Sequence, residues 1–401
     1  MVEEQITELT DIAFLTVDIP SHTYPLLGYL AELKKHGYNF DFYGSKNHAE
    51  KTFAGLGANS FGFEELGMKQ CDDPLHTCLF SSCLTVVPKI EAIWEERKKK
   101  PKLILADSFS IYALPLRKRH KIPVLVLYTS FFNPKDLEVV PDPWKTWLKN
   151  PLLEFKEPRD KIEATYGITF NRHNDVFILG DKNISTYPSF WGEALSPVGD
   201  NCYYLGPGFR DTDEKEKKDF DIAEIKDKEL VFISLGTALT NFSNFFVYDN
   251  AVEGLKRTDY NVLITASLGK ADELLAKEVP KNISIKSWVP QIEVLDHTKV
   301  FLSHMGAGGV SEALYKGVPM IAVPGFADQF ASALVLEKLN LGRYLRDKSP
   351  ESLQKLVKEV FESEEIQANA KKYKELINPQ ESRNKFVEIV KSMLTEEFKI
   401  E

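Results

Sequence analysis

A histidine followed by a glycine-rich turn is the first feature of this sequence that could bind a charged ligand. The residues KVFLSHMGAGGVSEALYK predict a short strand at 299–303, a turn, and an amphipathic helix over 310–316. Backbone amides of glycine can approach a phosphate closely, and the dipole of the following helix favours its negative charge. A histidine at the mouth of this turn adds a side-chain donor. The predicted diphosphate-binding residues are His304, Gly306, Gly308 and Gly309.

Residues on either side of this turn could bind the remaining parts of a nucleotide sugar. Trp288, in the stretch W-V-P-Q, can stack on a flat base, and Gln291 can hydrogen-bond to the edge of that base. Glu312 can accept hydrogen bonds from a ribose diol. Asp328 and Gln329 follow a predicted strand, at the sheet edge where open α/β sheets bind ligands. A base, a ribose, a diphosphate and a hydroxyl-rich sugar therefore have candidate partners in this order.

The whole segment resembles the donor-binding signature of the family 1 glycosyltransferases, in which W-x-P-Q precedes H-x-G, E, G-V-P and a closing D-Q. Eleven residues match at fixed spacing: Trp288, Pro290, Gln291, His304, Gly306, Glu312, Gly317, Val318, Pro319, Asp328 and Gln329. Many members carry Asn-Ser where this chain has Gly308-Gly309, which would leave the backbone alone to hold the phosphates. The resemblance also implies donor contacts for Val289 and for Thr237, since members carry Gly-Ser or Gly-Thr after the first strand of this domain.

Other interpretations of the glycine turn remain open. G-A-G-G after a strand also resembles a dinucleotide-binding fingerprint, and Asp328 lies at a spacing suited to a ribose. The glycines could also serve packing alone. A histidine before the first glycine and the W-V-P-Q element both favour a nucleotide sugar over a dinucleotide.

A histidine and an aspartate in the first half of the chain are candidates for acid–base chemistry. Glycosyl transfer to a hydroxyl needs a base, and an imidazole has a suitable pKa. His22 lies in P-S-H-T-Y-P after the first predicted strand, and Asp107 ends the strand K-L-I-L-A-D. The family motif G-H-x-x-P matches around His22 except at its first position, and the family places an Asp where Asp107 lies. The alternatives are an exposed loop histidine and a helix cap formed by Asp107 or Ser108.

Strand-like runs alternate with helical patterns in both halves of the chain, which predicts an α/β fold with parallel sheets. A charge-dense run, DTDEKEKKDFD, separates the halves and is typical of a linker. The family resemblance implies the GT-B architecture, two Rossmann-like domains that face each other across a cleft. The predicted units are an acceptor-binding domain at 1–206, a linker at 207–227, a nucleotide-sugar domain at 228–379, and a last helix at 380–401 that packs back on the first domain.

Composition limits the possible partners. A chain of 401 residues is too long for one ordinary core, and its net charge of −9 gives a nucleic-acid partner no electrostatic support. No apolar run reaches the ~18 residues that a membrane helix needs, and the acidic start lacks the features of a leader. Four cysteines without a leader favour reduced thiols in the cytoplasm. The grouping of Cys71, His76, Cys78 and Cys83 matches no common zinc finger, so we predict no metal site.

Together these features predict an inverting, metal-independent transferase without a cofactor. It would move a hexose, expected to be glucose from UDP-glucose, to a hydroxyl of a small lipophilic acceptor such as a phenol, flavonoid, macrolide or xenobiotic. The chain is most similar in style to bacterial macrolide-type and plant secondary-product members. We expect a cytoplasmic enzyme, in the first instance a monomer, that serves detoxification or biosynthesis. The aromatic-rich stretch 131–175 could line the acceptor pocket or form surface helices. The alternatives are a GT-B epimerase or hydrolase and a nucleotide-sugar-binding protein without catalysis.

Overall fold

The computed structural model describes most of the chain, from residue 10 to residue 398 with gaps. The described residues are 10–17, 20–44, 56–57, 59–62, 66, 77–130, 156–169, 178–194, 199–209, 220–225, 229–236, 246–325, 328–396 and 398. Much of the aromatic-rich stretch 131–175 lies outside them. So do Cys71, His76 and Thr237.

A parallel sheet of seven strands forms the centre of the first half of the described chain. The strands are β1 (Ile12–Leu15), β2 (Phe40–Gly44), β3 (Ser60–Gly62), β4 (Leu103–Asp107), β5 (Val124–Tyr128), β6 (Lys182–Ser185) and β7 (Cys202–Tyr204). Their order is β3-β2-β1-β4-β5-β6-β7. The central strands are buried along their whole length, as expected for a sheet covered on both faces.

Helices cover both faces of this sheet. They are α1 (Pro20–Thr23), α2 (Leu27–Lys35), α3 (Thr77–Glu96), α4 (Ala113–His120), α5 (Lys156–Tyr166) and α6 (Ser189–Glu193), with a 3-10 turn at Tyr24–Leu26 between α1 and α2. One buried cluster joins the sheet to α3, α4 and α5. A second joins the opposite face to α2 and to the last helix of the chain.

A second parallel sheet, of six strands, occupies the later half of the described chain. The strands are β8 (Leu230–Ser234), β9 (Asn261–Thr265), β10 (Ile283–Lys286), β11 (Thr298–Ser303), β12 (Met320–Ala322) and β13 (Gly342–Tyr344). Their order is β10-β9-β8-β11-β12-β13. The order reverses at β8 and β11, and a parallel α/β sheet binds ligands beyond the carboxyl ends of its strands at such a point.

Helices of the later half lie on the two faces of this second sheet. They are α7 (Phe246–Leu255), α8 (Leu268–Leu275), α9 (Gln291–Leu295), α10 (Ala307–Lys316), α11 (Asp328–Lys338), α12 (Pro350–Glu362) and α13 (Glu364–Lys374). The last helix of the chain is α14 (Pro379–Thr395). Side chains of α7, α8 and α12 share one buried cluster. Side chains of α9, α10 and α11 share another, which also includes Tyr187 and Trp191 from the first half.

The last helix, α14, packs on the first half of the chain. Phe386 of α14 lies 4.8 Å, between ring centroids, from Tyr29 of α2. Arg383 is buried beside Glu32, with Nε 3.6 Å from Oε2, and its guanidinium also donates to the carbonyl of Phe209. These contacts agree in direction with the expected return of the last helix. The numbered domain boundaries stay predictions.

Among the described residues, no helix combines the length and the apolar character that crossing a membrane requires.

Candidate functional site

The first sheet brings the candidate base and its aspartate together. β1 pairs with β4, so residues beyond the ends of these neighbouring strands lie side by side. His22 lies in α1, a single helical turn just after β1, whereas the sequence predicted a loop here. Asp107 is the last residue of β4.

The two side chains are in hydrogen-bonding contact. Nδ1 of His22 lies 2.9 Å from Oδ2 of Asp107, whose side chain is fully buried. The other carboxylate oxygen accepts from the backbone N–H of Phe109 at 2.8 Å, and the Phe109 ring packs 4.9 Å from the imidazole. A carboxylate that accepts from Nδ1–H leaves the lone pair of the imidazole on Nε2. The pair is therefore arranged to remove a proton at Nε2.

The alternative in which Asp107 or Ser108 caps a helix does not fit the structure. The following helix, α4, begins at Ala113, and its N-cap residue is Tyr112, which makes no side-chain capping bond. Asp107 holds only its own turn, through the amide of Phe109. Its carboxylate is thus available to orient His22.

In the second sheet, the glycine turn after β11 leads directly into α10. The helix begins at Ala307, three residues before the predicted start, and Gly306 is its N-cap with an extended backbone. Gly308 and Gly309 therefore lie in the first helical turn and not in a loop. Glycine has a low helix propensity, but burial of Ala307 against the core supports the early start. Amides of this first turn have no partner inside the helix, as an anion site requires.

His304 packs against two glycines, and its imidazole ring leaves no room for a larger residue at either position. A Cβ added at Gly236 would lie 2.4 Å from Cε1 of the imidazole, and one added at Gly306 would lie 2.4 Å from Nε2. Burial lowers the pKa of His304 to about 4, although a hydrogen bond with the backbone of Ser234 opposes this shift. The imidazole is therefore neutral near pH 7, and its buried Nδ1 has no hydrogen-bond partner within the part of the chain that the structure describes.

The base and ribose candidates lie next to each other. Trp288 follows β10 and is 48% exposed. Gln291 donates from Nε2 to a carboxylate oxygen of Glu312, which links α9 to α10. The side chain of Val289 is buried in the core, so this residue can offer a ligand only its backbone. The predicted Thr237 contact lies outside the described residues, next to Gly236.

The sugar candidates begin α11. Gln329 is buried, and its Oε1 accepts from the backbone N–H of Gly325 at 3.0 Å, which fixes the turn before the helix. Burial raises the pKa of Asp328 to about 7. Hydrogen bonds from backbone amides and the positive charge of a protonated His22 act in the opposite direction. The candidate base of the first half is therefore close enough to the candidate sugar residue of the second for their charges to interact.

This chain is similar in sequence to known glycosyltransferases. The family model described as "UDP-glucoronosyl and UDP-glucosyl transferase" matches residues 213–382. Three proteins of Bacillus subtilis are similar to this chain. The uncharacterized UDP-glucosyltransferase YdhE is 29% identical over 238 residues, 58% of this chain and 59% of that protein. The uncharacterized UDP-glucosyltransferase YojK is 25% identical over 87% of this chain and 89% of that protein. The NDP-glycosyltransferase YjiC is 26% identical over 76% of this chain and 74% of that protein.

Solved structures give the fold. The glycotransferase of kitacinnamycin superposes with a TM-score of 0.75 at 22% identity, over 96% of this chain and 99% of that one. CalG4, the calicheamicin glycosyltransferase, superposes with a TM-score of 0.73 at 19% identity, over 97% and 99%. The later half of the chain is therefore similar to the UDP-glucuronosyl and UDP-glucosyl transferases. The two parallel-sheet α/β halves of the chain have the predicted GT-B architecture.

Two residues of this candidate site were not expected from the sequence. Met305, between His304 and Gly306, has a φ of 69°, which is uncommon for a residue with a side chain. Its backbone N–H is held by Oγ of Ser303 at 3.1 Å. Phe109 packs on the base imidazole. The aromatic residue two positions after a strand-ending aspartate was a signal for Phe109, whereas nothing in the sequence marks Met305.

Proposed function

We propose that this protein transfers a hexose, glucose in the first instance, from a UDP-sugar to a hydroxyl of a small lipophilic acceptor with inversion at the anomeric carbon. The observation that carries the proposal is the contact between His22 and Asp107, at a site that faces Asp328 of the donor half. A base on one side and a sugar-binding carboxyl on the other are what direct transfer requires.

The reaction follows from this geometry. Nε2 of His22 takes the proton of the acceptor hydroxyl while that oxygen attacks the anomeric carbon. The bond between the anomeric carbon and the β-phosphate oxygen breaks, and its electron pair leaves with UDP. Asp107, buried against the imidazole, stabilises the imidazolium that forms. Attack from the side opposite the leaving group inverts the configuration.

The later half would hold the donor along the carboxyl ends of its strands. Trp288 would stack on the base, Gln291 would contact its edge, and Glu312 would accept from the ribose. The amides at the start of α10 and the neutral His304 would bind the diphosphate and stabilise the charge that develops on it. We propose on this basis that the helix terminus fulfils the role that a divalent ion has in other transferases. Asp328 and Gln329 would bind the sugar hydroxyls.

Similar proteins support the choice of UDP and of the acceptor class. The structure titled "UDP-glucose: anthocyanidin 3-O-glucosyltransferase in complex with UDP" superposes with a TM-score of 0.71 at 16% identity, over 97% of this chain and 100% of that one. The oleandomycin glycosyltransferase of Streptomyces antibioticus is 35% identical over 118 residues, which is 27% of that protein. The first name contains UDP-glucose and anthocyanidin, and the second contains oleandomycin. The cytoplasmic location, the monomeric state and the detoxification role stay predictions.

Product analysis tests the proposal. The protein is incubated with UDP-glucose and a panel of phenols, flavonoids and macrolides, and products are measured by mass spectrometry and by NMR of the anomeric proton. We expect β-glucosides from the α-linked donor, with one UDP released per glucoside. Free glucose or an isomerised sugar nucleotide would indicate the epimerase or hydrolase. UDP binding without any product would indicate a binding protein.

A further inference from the structure

A short segment of the first half contacts both helices that begin at the donor site. Thr186 and Tyr187 follow β6 at the carboxyl edge of the first sheet. Oγ of Ser311, on α10, donates to the carbonyl oxygen of Thr186 at 3.3 Å. The hydroxyl of Tyr187 is hydrogen-bonded to Oγ of Ser332, on α11, at 2.9 Å. We refer to residues 186 and 187 with these two hydrogen bonds as the strut.

The contact with α11 lies directly behind the sugar candidate. Ser332 is four residues after Asp328, so both project from the same face of the helix. Burial raises the pKa of the Tyr187 phenol, and the nearby Asp328 carboxylate raises it further. Tyr187 and Ser332 are both fully buried. The hydrogen bond between them is therefore shielded from water and fixes the first turns of α11 against the first sheet.

The contact with α10 likewise lies directly behind the glycine turn that is predicted to bind the diphosphate. Ser311 lies in the second turn of α10, after the glycines of the first turn, and both Ser311 and Thr186 are buried. The hydroxyl of Thr186 itself has no hydrogen-bond partner among the described residues, and the strut uses the main chain of this residue. A buried polar contact between two packed elements restricts their relative position more sharply than apolar packing does.

The segment that carries the strut is firmly held at both ends. On the side of the first sheet, the amide of Gly206 donates to the carbonyl of Tyr187 at 2.9 Å, and β6 pairs with β5. On the other side, Trp191 stacks near Tyr187 with ring centroids 6.2 Å apart and belongs to the buried cluster of α10 and α11. Movement of the donor helices is therefore transmitted to the sheet that carries the catalytic pair.

We propose that Tyr187 is a positioning residue, which sets the distance between the His22–Asp107 pair and the donor held by α10 and α11. The proposal rests on the proposed transfer reaction. The strut touches neither reacting group, and it acts by keeping the acceptor oxygen and the anomeric carbon in line. Because misplacement by about 1 Å can cost about 10²-fold in rate, loss of one fixed contact should be visible in kcat.

The test compares Tyr187→Phe, Ser332→Ala and the double variant with the wild type. We expect each single change to lower kcat by about tenfold and the double variant to lower it no further, because both remove the same interaction. The Kd for UDP should change less than about twofold, since the donor-binding residues belong to the later half. Tyr43→Phe is the matched control: it removes a buried phenol oxygen that accepts from Nε1 of Trp94 at 2.9 Å, within the first half. Its kcat should stay close to that of the wild type.

Equal kcat values for Tyr187→Phe and Tyr43→Phe would overturn the proposal, and so would additive losses in the double variant. Hydrogen exchange without substrates separates failure of the strut from failure of the proposed reaction. We expect faster exchange of backbone amides at 186–191 and at the start of α11 in Tyr187→Phe and not in Tyr43→Phe. If the wild type transfers no sugar, the proposed function fails, and unchanged exchange in Tyr187→Phe would then also reject the strut.

Discussion

The Nδ1 atom of His22 lies 2.9 Å from Oδ2 of Asp107, a contact between residues 85 positions apart in the sequence. Parallel pairing of β1 with β4 creates this contact, because each residue lies at or just beyond the end of one of these strands. The carboxylate is fully buried and also accepts from the amide of Phe109. The imidazole is thus held in one tautomer and one orientation.

Replacement of Asp107 by Asn tests the role of its charge. Asn keeps an oxygen that can accept from the amide of Phe109, so we expect little change in the unfolding midpoint. The amide does not stabilise the imidazolium of His22, and we expect kcat to fall by about 10²–10⁴-fold. Asp41→Asn is the control, since Asp41 is a buried carboxyl of β2 that Thr10 and Asn59 hold. A loss of less than about threefold in Asp107→Asn would contradict the assigned role.

The carboxyl of Asp328 makes stability depend on pH. Burial raises its pKa to about 7, whereas an unfolded chain releases the same proton near pH ~3.9. The stabilising contribution of the bound proton is therefore complete below about pH 4 and is lost as the pH rises to about 7. Asp328→Asn should raise the free energy of unfolding by roughly 1–2 kcal/mol at pH 8 and by less at pH 5. This range allows for screening of the charge by water, since the group is half-buried. Urea unfolding at both pH values measures this, and an equal or reversed difference would refute it.

The neutral state of His304 can be tested through the binding of UDP. Its pKa is lowered to about 4, so protonation should not contribute between pH 5.5 and pH 8. His304→Gln keeps a neutral donor of similar reach, and we expect UDP to bind several-fold more weakly, on the order of one lost or lengthened hydrogen bond. The ratio of the two Kd values, measured by calorimetry, should be constant over this range. A ratio that grows as the pH falls would show that the imidazolium binds the diphosphate.

The two glycines in the first turn of α10 should respond differently to alanine. A Cβ at Gly308 would meet only Cγ of Pro25, at 4.0 Å, whereas one at Gly309 would lie 3.3 Å from Oγ of Ser303. Alanine in a helix is favoured over glycine by about 0.5–1 kcal/mol. We expect Gly308→Ala to raise the free energy of unfolding, measured with urea, by most of this amount. Gly309→Ala should raise it by less. UDP affinity should persist in Gly308→Ala because the backbone amide remains, and a destabilised Gly308→Ala would contradict the described turn.

Individual residues of the site show which structural features sequence patterns can and cannot predict. Asp107 and His22 could be predicted to lie together because residues that end parallel strands lie at the carboxyl edge of the sheet. The sequence predicted a start of α10 that is three residues too late. Its two glycines have a low helix propensity, so the sequence pattern does not indicate a helical turn that packing stabilises. The hydrogen bond between Tyr187 and Ser332 joins residues 145 positions apart, and neither has a local pattern that marks it. Such contacts depend on how the two halves dock, which local patterns do not encode.

The most direct test of the central claim is a paired measurement on His22→Ala. The variant and the wild type are compared for the rate of glucoside formation from UDP-glucose and for UDP affinity by calorimetry. If His22 removes the acceptor proton while the later half holds the nucleotide, kcat should fall by about 10²–10⁴-fold and the Kd for UDP should change less than about twofold. Transfer that persists in His22→Ala, or loss of UDP binding together with transfer, would contradict the account.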